Sequence, residues 1–279
     1  MNNFLIIKNA DKDTKDSITN KITGYLHEKG AQTKVIKRTL PMMREPLEVP
    51  KGCDCVMVLG GDGSILRTVR SLFPGELPIV GVNLGNLGFL TQTEPEDVSE
   101  LLDCLLHDKV HIEHRMLIEG TMYHKEKQIY RDIALNDIVV GRTGLSRIIR
   151  LRILVNGELL NVYDADGVVV STPTGSTAYN LSAGGPVVCP KTNLLIVTPI
   201  SPHSLSARSV ILSEHDVLRI EVENVRMSTE EAVATFDGQT GHIMHPGDYI
   251  EIKRCKQEAS LVRMSNSNFY EVLRNKMTR

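Results

Sequence analysis

The first third of the chain combines short apolar runs with apolar residues at helical spacing. Continuous apolar runs at 4–7, 56–59 and 78–82 predict strands that are buried on both faces of a parallel sheet. Apolar residues three and four apart at 65–72 and 98–105 predict helices that follow these strands. The remaining predicted elements of this region are a helix over 18–26 and a strand over 32–36. Strands that alternate with helices imply a parallel sheet, whose ligands lie beyond the carboxyl ends of its strands.

From about Val110 the helical spacing gives way to alternation. Short runs rich in Val, Ile and Tyr are separated by turns such as Asn156-Gly157, which predicts a second, mainly β domain. The strands predicted here lie at 115–123, 128–140, 148–155, 158–163, 167–171, 210–212, 217–222, 232–236, 249–253 and 260–264. We therefore predict an α/β domain over 1–108, a β-rich domain over 109–265, and a terminal helix over 266–279 that packs on the first domain.

Composition excludes several classes of partner. The 279 residues include 32 Lys and Arg against 34 Asp and Glu, so the net charge calls for neither nucleic acid nor an anionic membrane. No apolar run approaches the ~20 residues of a membrane helix, and the amino terminus lacks a basic leader, which predicts a cytoplasmic protein. The five cysteines predict reduced, structural thiols. His242 and His245 near Asp237 lack a further ligand at zinc spacing, so no metal site made by the protein alone is predicted.

A glycine-rich turn at 60–63 joins one predicted strand to the helix that follows it. Gly60, Gly61 and Gly63 allow a sharp turn and the close approach of a ligand, and the amides at a helix start suit phosphate oxygens. The carboxylate of Asp62 would repel a phosphate, so it needs another task. It either holds a metal ion or accepts a proton from the group that attacks phosphorus. The alternative is that Asp62-Gly63 is only a turn dipeptide.

Residues 166–186 interrupt the β pattern with a dense run of small hydroxyl residues and glycines. Such a run covers no core, and the stretch from Thr172 to Thr177, which includes Thr174, offers hydroxyls and close backbone approach to a ligand. The following residues can start a helix in which Tyr179 presents a flat face to a base. The alternative is an elaborate hairpin connection.

Six motifs together resemble the bacterial type of the NAD kinase family. They are Gly60-Gly-Asp-Gly63, Leu84-Gly-Asn-Leu-Gly-Phe89, Leu135-Asn-Asp137, Asp166-Gly167, Ser171-Thr-Pro-Thr-Gly-Ser-Thr-Ala-Tyr179 and Pro202-His-Ser-Leu-Ser-Ala-Arg208. The resemblance runs from about Val56 to the carboxyl end, and the Pro-Thr-Gly-Ser-Thr-Ala-Tyr run is highly specific for this family. The glycine-acid-glycine loop is also shared with diacylglycerol kinases, sphingosine kinases and phosphofructokinases.

The resemblance implies a fold and a reaction. The fold is a Rossmann-like α/β domain followed by a β-sandwich-like domain, with NAD held between them. The reaction is a phosphotransfer to an alcohol, in which the γ-phosphate of ATP moves to the 2′-hydroxyl of the adenosine ribose of NAD and gives NADP. The implied cofactor is a divalent metal ion, Mg²⁺ or Mn²⁺, that accompanies ATP. The implied assembly is a homodimer or homotetramer, with Ser201 at or near a subunit boundary.

The family's functional positions map onto this sequence one by one. Asp62 matches the general base, and the three glycines around it match the phosphate-facing backbone. Asn136 and Asp137 match a pair that grips NAD near its ribose and adenine, although the family usually has Glu where Asp137 stands. Asp166 matches the contact to the nicotinamide amide. The adenosine-side loop corresponds to Thr177, Ala178, Tyr179, Asn180 and Ser182. The remaining implied ligand positions, more variable in type, are Arg147, Asp164, Ser201 and Gln239.

Two further side chains are candidates on chemical grounds. Phe89 is predicted to pack, like Tyr179, against a ring of the dinucleotide. Arg67, on the helix after the glycine turn, either meets an ATP phosphate or is simply solvated.

Two other functions are alternatives to phosphotransfer from ATP to NAD. A lipid kinase that shares the glycine-acid-glycine loop would have an apolar acyl-chain groove, and the adenosine-side tyrosine loop argues against it. A dinucleotide sensor without catalysis would be favoured by loss of Asp62, which is present. Both NAD and NADH remain candidate acceptors, and both ATP and polyphosphate remain candidate donors.

Overall fold

A computed structural model describes residues 1–38, 47–85, 88–91, 93–143, 148–204, 206–223, 231–264 and 269–277. The chain forms two compact units. The first comprises Met1–His114 and Ala259–Arg279, and the second comprises Arg115–Glu258.

The first unit is an α/β unit built on parallel strands. Its elements are β1 (Asn3–Asn9), α1 (Ser17–Glu28), β2 (Gln32–Arg38), β3 (Cys55–Gly60), α2 (Asp62–Leu72), β4 (Ile79–Asn83) and α3 (Val98–Leu106). β1 lies between β2 and β3, and β4 follows β3, all in parallel register. Because these strands run in one direction, the segments that follow β1, β3 and β4 all meet at the carboxyl edge of the sheet. The glycine turn at 60–63 lies at this edge, as the sequence predicts.

The second unit is almost entirely β. Its first strands are β5 (Val110–His124, which begins in the first unit), β6 (Lys127–Ala134), β7 (Asp137–Arg142), β8 (Ile149–Val155), β9 (Glu158–Ala165) and β10 (Gly167–Ser171). A 3-10 turn (Thr174–Thr177) and the short helix α4 (Tyr179–Ser182) follow. The remaining elements of the chain are β11 (Leu194–Ile200), β12 (Val210–Ser213), β13 (Leu218–Val222), β14 (Ala232–Phe236), β15 (Thr240–Met244), β16 (Tyr249–Met264, which ends in the first unit) and α5 (Phe269–Met277, in the first unit).

Antiparallel pairing builds two groups of strands in the second unit. One is a six-stranded sheet in the order β12-β11-β10-β7-β14-β15. The other places β13 between β8 and the first part of β16, with β9 beside β8. Side chains from both groups, among them Ile138, Ile153, Ile220 and Phe236, are fully buried in one core. The predicted α/β portion, β-rich portion and terminal helix are thus confirmed as the fold class.

Four details differ from the predicted strands. The run at 128–140 is two strands, because a turn at Leu135-Asn136 interrupts it, and the runs at 249–253 and 260–264 are one long strand. Strands β11 and β15 have no counterpart in the prediction. Within the described residues, no helix has both the length and the apolar character needed to span a membrane.

Candidate active site

The glycine turn at the end of β3 uses its glycines in different ways. Gly60 is buried, and a β-carbon there would lie 2.8 Å from Cβ of Ser64 in the first turn of α2. Gly60 therefore lets α2 pack closely on the strand end, and its predicted backbone contact to phosphate stays a prediction. Gly61 is the N-cap of α2 in extended conformation, and its carbonyl accepts the amide of Ser64 at 2.8 Å. The amides at the start of a helix have no acceptor within the helix, so they point out as donors.

Two cationic side chains lie over this turn. A β-carbon at Gly61 would lie 3.4 Å from Nζ of Lys12, and one at Gly63 would lie 3.7 Å from Nη2 of Arg67. Nζ of Lys12 also lies 3.0 Å from the β-carbon position of Gly85, in the segment after β4 that contains Gly85 and Gly88 and is here called the second glycine loop. Partial burial lowers the pKa of Arg67, which nevertheless stays charged as an arginine does in proteins. Positive charge, a helix start and bare glycine backbone together suit a phosphate group.

Lys12 is not among the site residues predicted from the sequence. A weak signal for it exists, because Lys12 follows β1, and β1 pairs in parallel with β3. Segments that follow neighbouring parallel strands meet at one edge. Lys12 is exposed, and no carboxylate in the described part of the chain pairs with it.

Asp62, the predicted general base, is held by the segment 89–91. Its Oδ1 accepts the amides of Leu90 at 3.1 Å and Thr91 at 2.9 Å, together with the Thr91 hydroxyl at 2.9 Å. Its Oδ2 accepts the amide of Phe89 at 2.8 Å. A β-carbon at Gly88 would overlap Oδ1 and lie 2.6 Å from Oδ2, so glycine is required there for the carboxylate to fit. The second glycine loop therefore serves to receive Asp62.

Phe89 packs inside its own unit. Its ring centroid lies 6.1 Å from that of Phe269 on α5, and Nζ of Lys276 lies 4.9 Å from its centroid. These contacts fix the carboxyl-terminal helix next to the segment that holds Asp62. The predicted stacking of Phe89 on a dinucleotide ring stays a prediction.

The turn between β6 and β7 carries the predicted pair Asn136 and Asp137. The carboxylate of Asp237 accepts the amides of Leu135, Asn136 and Asp137 at 3.0, 2.7 and 3.2 Å, and the Asp237 amide donates to the Asp137 carbonyl at 2.9 Å. In the sequence, Asp237 stood out only as a neighbour of His242 and His245. In the structure it is the residue that shapes the turn.

Asp137 is 5% exposed, and its carboxyl is buried beside that of Asp237. Burial, followed by the charge of Asp237, raises the pKa of Asp137 to about 7. Near neutral pH the Asp137 carboxyl is therefore able to donate as well as accept a hydrogen bond, unlike an ordinary carboxylate.

The hydroxyl-rich segment packs directly on this turn. The amide and the hydroxyl of Thr172 donate to the carbonyls of Asn136 and Leu135 at 2.9 and 2.6 Å. A β-carbon at Gly175 would overlap the Asn136 carbonyl and lie 2.7 Å from its Cα. The structure thus brings the Asn136–Asp137 pair and the 3-10 turn at 174–177 together.

Residues of the adenosine-side loop differ in how accessible they are. Tyr179 is 45% exposed, Ser182 is exposed, and Thr177 and Ala178 are half-buried, so these can meet a ligand. Thr174 is buried, and its hydroxyl accepts from Nη1 of Arg115 at 3.3 Å.

Asn180 differs from the rest of this loop because it is fully buried. Its Nδ2 donates to the carbonyls of Ser176 at 3.2 Å and Pro186 at 3.0 Å, and its Oδ1 accepts the Thr198 hydroxyl at 2.7 Å. A side chain engaged in this way holds the loop together, and the predicted contact of Asn180 with the dinucleotide stays a prediction.

The other predicted positions of the second unit lie around strand ends. Asp164 forms a bidentate pair with Arg150 at 2.8 and 2.6 Å, and Asp166 pairs with Nε of Arg142 at 2.7 Å. Ser201 is exposed in left-handed conformation (φ 45°) after β11. Gln239 is half-buried in the turn between β14 and β15. Arg147 lies outside the described residues.

The predicted residues thus fall into two groups, one in each unit. Within the described ranges, no group of three or more His, Cys, Asp or Glu side chains is arranged to hold a metal ion. Mg²⁺ commonly binds to one or two carboxylates together with substrate phosphates, so the remaining acceptor site on Oδ2 of Asp62 could take either a metal ion or the proton of a hydroxyl.

The chain is similar to NAD kinases over its whole length. The family model described as the ATP-NAD kinase N-terminal domain matches residues 8–110, and the model described as the C-terminal domain matches residues 135–264. A curated NAD kinase from Lachnospira eligens is 42% identical, over 99% of this chain and 100% of that protein.

Solved structures show the same fold. A yeast NADH kinase complexed with NADH has a TM-score of 0.83 at 27% identity, covering 98% of this chain and 86% of that one. An NAD kinase from Archaeoglobus fulgidus in complex with ATP has a TM-score of 0.78 at 24% identity, covering 99% of this chain and 98% of that one, which concerns the fold alone.

Proposed function

Because the chain belongs to the ATP-NAD kinase family, we propose that it transfers the γ-phosphate of ATP to the 2′-hydroxyl of the adenosine ribose of NAD, giving NADP and ADP. This makes it a phosphotransferase with an alcohol as acceptor. The observation that carries the catalytic part of the proposal is the Asp62 carboxylate, fixed at the start of α2 between two glycine loops. A carboxylate so placed can accept the proton of an attacking hydroxyl.

The first unit supplies the phosphate end of the reaction. Amides at the start of α2, with Lys12 and Arg67 above Gly61 and Gly63, neutralise the phosphate oxygens. A divalent ion that arrives with ATP would be held by the phosphates, and it would offset the charge that develops on the transferred group. The task of the protein is then to position the hydroxyl and remove its proton.

The second unit supplies the dinucleotide end. Asn136 and Asp137 offer hydrogen-bonding groups to the ribose and adenine, and Asp166 offers a carboxylate to the nicotinamide amide. Arg142 already holds Asp166 in place, as Arg150 holds Asp164. The exposed ring of Tyr179 is available to stack on the base.

A coupled assay with purified protein, NAD, ATP and Mg²⁺ tests the function through the formation of NADP. We expect turnover that requires both substrates and the metal ion. Parallel reactions replace NAD with NADH and ATP with polyphosphate, because both acceptors and both donors are chemically compatible with the site. Binding of NAD without turnover would identify a sensor, and phosphorylation of diacylglycerol in place of NAD would identify a lipid kinase.

Tyr179→Ala tests the adenosine-side loop. Loss of an aromatic stacking partner weakens binding by roughly 1–3 kcal/mol, so we expect NAD affinity to fall about 5- to 150-fold. Because the ring is exposed, the melting temperature should stay near that of the parent protein. Calorimetry that finds unchanged NAD affinity would show that the tyrosine only packs the loop.

We also propose that the protein works as a homodimer or homotetramer, with Ser201 at or near the boundary. The support is its exposed position after β11 and the matching family position. Sedimentation equilibrium at micromolar concentration should show more than one chain per particle, and a fully active monomer would refute this. The cytoplasmic location stays a prediction from composition.

A further inference from the structure

The four hydrogen bonds to Asp62 are divided unequally between its two oxygens. Oδ1 accepts three, from the Leu90 amide, the Thr91 amide and the Thr91 hydroxyl, whereas Oδ2 accepts one, from the Phe89 amide. A carboxylate oxygen has about two lone-pair sites, so Oδ1 is saturated and Oδ2 keeps room for one more donor. The two oxygens of this carboxylate are therefore not equivalent.

The same segment is held from its other side by a buried arginine. Arg263, in the last part of β16, is 6% exposed. Its Nη1 donates to the Leu90 carbonyl at 2.8 Å and its Nη2 to the Phe89 carbonyl at 3.4 Å, while its Nε pairs with Oε2 of Glu113 at 3.2 Å. Residues 89–91 thus lie between Arg263, which binds the carbonyls of Phe89 and Leu90, and Asp62, which binds all three amides.

We infer that Arg263 is a positioning residue for phosphotransfer, and that through the segment 89–91 it makes Oδ2 of Asp62 the atom that accepts the proton. This inference rests on the proposed function. In the step, the ribose O–H bond breaks and its proton moves to Oδ2. The ribose oxygen forms a bond to the γ-phosphorus of ATP, and the bond from that phosphorus to the bridging oxygen breaks, so ADP leaves with the electron pair.

The geometry of arginine suits this task. A guanidinium presents donors in a rigid planar fork, which here reaches two successive carbonyls and one carboxylate at once. A lysine ammonium is a single point on a flexible stem and does not fix three acceptors in one plane. Small displacements matter, since misplacing a reacting group by about 1 Å can cost about 100-fold in rate.

Thr91 offers a matched pair of variants, because the two halves of its side chain do different things. Its hydroxyl donates to Oδ1 of Asp62, and its methyl lies 2.8 Å from the β-carbon position of Gly81. Thr91→Val keeps the shape and removes the donor, whereas Thr91→Ser keeps the donor and removes the packing methyl. A positioning role predicts that Val harms activity more and that Ser harms stability more.

The test measures kcat, KM and melting temperature for Arg263→Lys, Thr91→Val and Thr91→Ser with NAD, ATP and Mg²⁺. We expect Arg263→Lys and Thr91→Val to lower kcat at least tenfold with less than threefold change in either KM. Thr91→Ser should keep kcat within threefold of the parent. Arg254→Lys is the control, since Arg254 lies in the same strand and also pairs with two carboxylates, of Glu214 and Glu258.

The outcomes separate the inference from the function on which it rests. If the parent protein forms no NADP, the proposed function fails. If the parent is active but Arg263→Lys folds and retains the kcat of the parent, or Thr91→Val does so, the inference is overturned. If Arg263→Lys does not fold, the comparison of Thr91→Val with Thr91→Ser decides alone, and equal loss of kcat in both would also overturn it.

Discussion

The two units each contain an aspartate that binds three consecutive backbone amides. Asp62 accepts the amides of 89–91 in the first unit, and Asp237 accepts those of 135–137 in the second. The surroundings of the two carboxylates differ. Asp62 is half-buried at a helix start, with Lys12 and Arg67 over the neighbouring glycines. Asp237 is 8% exposed, and its neighbour is another carboxyl, that of Asp137.

Under the proposed function, the difference indicates that hydrogen bonds to backbone amides do not by themselves make a carboxylate a catalytic base. Both aspartates organise a loop by the same means, and only Asp62 combines this with partial exposure and nearby positive charge. Asp237 acts on the candidate dinucleotide site indirectly, because it fixes the backbone that carries Asn136 and Asp137. The comparison therefore predicts that equivalent substitutions damage activity in one unit and stability in the other.

Asn substitutions at Asp62 and Asp237 are expected to separate these roles most strongly. Asp62→Asn should lower kcat by roughly 10²- to 10⁴-fold with little change in NAD affinity, which is the usual span for loss of a general base. Its new NH₂ group must also face backbone donors, so the melting temperature is measured beside kcat. Loss of metal-dependent ATP binding in place of kcat would identify Asp62 as a metal ligand.

Asp237→Asn leaves at least one of its three amides without a proper acceptor, which costs about 1–3 kcal/mol of folding stability. The measurement belongs at pH 6, where most Asp137 carboxyls carry their proton. We expect a lower melting temperature with kcat near the parent value. Equal effects of both variants on kcat and stability would remove the distinction between the two aspartates.

Alanine at Gly88 and at Gly175 tests the same comparison through packing. A β-carbon at Gly88 would overlap the Asp62 carboxylate, so we expect Gly88→Ala to lower kcat about 100-fold. A β-carbon at Gly175 would overlap the Asn136 carbonyl, so Gly175→Ala should mainly raise the KM for NAD. Gly184→Ala is not a suitable control, because Gly184 has a positive φ, whereas Gly24→Ala is suitable, since nothing lies near its β-carbon position. A Gly88→Ala protein with normal kcat would show that Asp62 is not bound as described.

The fold was predictable from the sequence wherever a strand is a continuous run of apolar residues. The parallel strands of the first unit are continuous and apolar, and those runs were found. Strand β11 contains Pro199, and β15 contains Gly241 and lies at a sheet edge, so both have weak local strand signals. The turn at Leu135-Asn136 is set by Asp237, about a hundred residues away, which no local pattern reveals.

The candidate site was predictable as a set of motifs but not as an arrangement. The motifs identified Asp62 and the adenosine-side loop, because dense glycines and hydroxyls are unusual outside binding loops. They did not reveal that Gly60 packs against Ser64 or that the side chain of Asn180 is hydrogen-bonded within the loop. Lys12 and Arg263 were not predicted, because an isolated basic residue belongs to no recognisable motif. Only the tertiary fold brings these two residues to the glycine loops.

Lys12→Ala tests whether positive charge distinguishes the Asp62 region. One exposed charge-assisted contact to phosphate contributes about 1–2 kcal/mol, so we expect the KM for ATP to rise about 5- to 30-fold with smaller change in the KM for NAD. Lys15→Ala is the matched control, because Lys15 is an exposed lysine in the same segment after β1. The effect of Lys12→Ala should shrink as salt rises, since exposed charges are screened. Equal KM values for the two variants would exclude Lys12 from the phosphate site.

The smallest expected effect concerns the proton on Asp137, which distinguishes the surroundings of Asp237. Burial and the Asp237 charge raise the pKa of Asp137 to about 7, against about 3.9 in an unfolded chain. The folded protein therefore binds this proton more tightly than the unfolded chain. The stability that this group contributes is complete below about pH 4 and is lost as the pH rises through about 7.

Asp137→Asn keeps a neutral side chain at every pH, so its melting temperature relative to the parent should rise by a few degrees between pH 5 and pH 8. Asp164→Asn provides a control whose melting temperature relative to the parent should not change between pH 5 and pH 8. Arg150 lowers the pKa of Asp164, so the stability from that pair is present above about pH 4 and is lost as the pH falls. A difference between Asp137→Asn and the parent that does not change with pH would mean that Asp137 is already charged beside Asp237. The contrast between Asp62 and Asp237 would then rest on exposure and on the positive charge of Lys12 and Arg67.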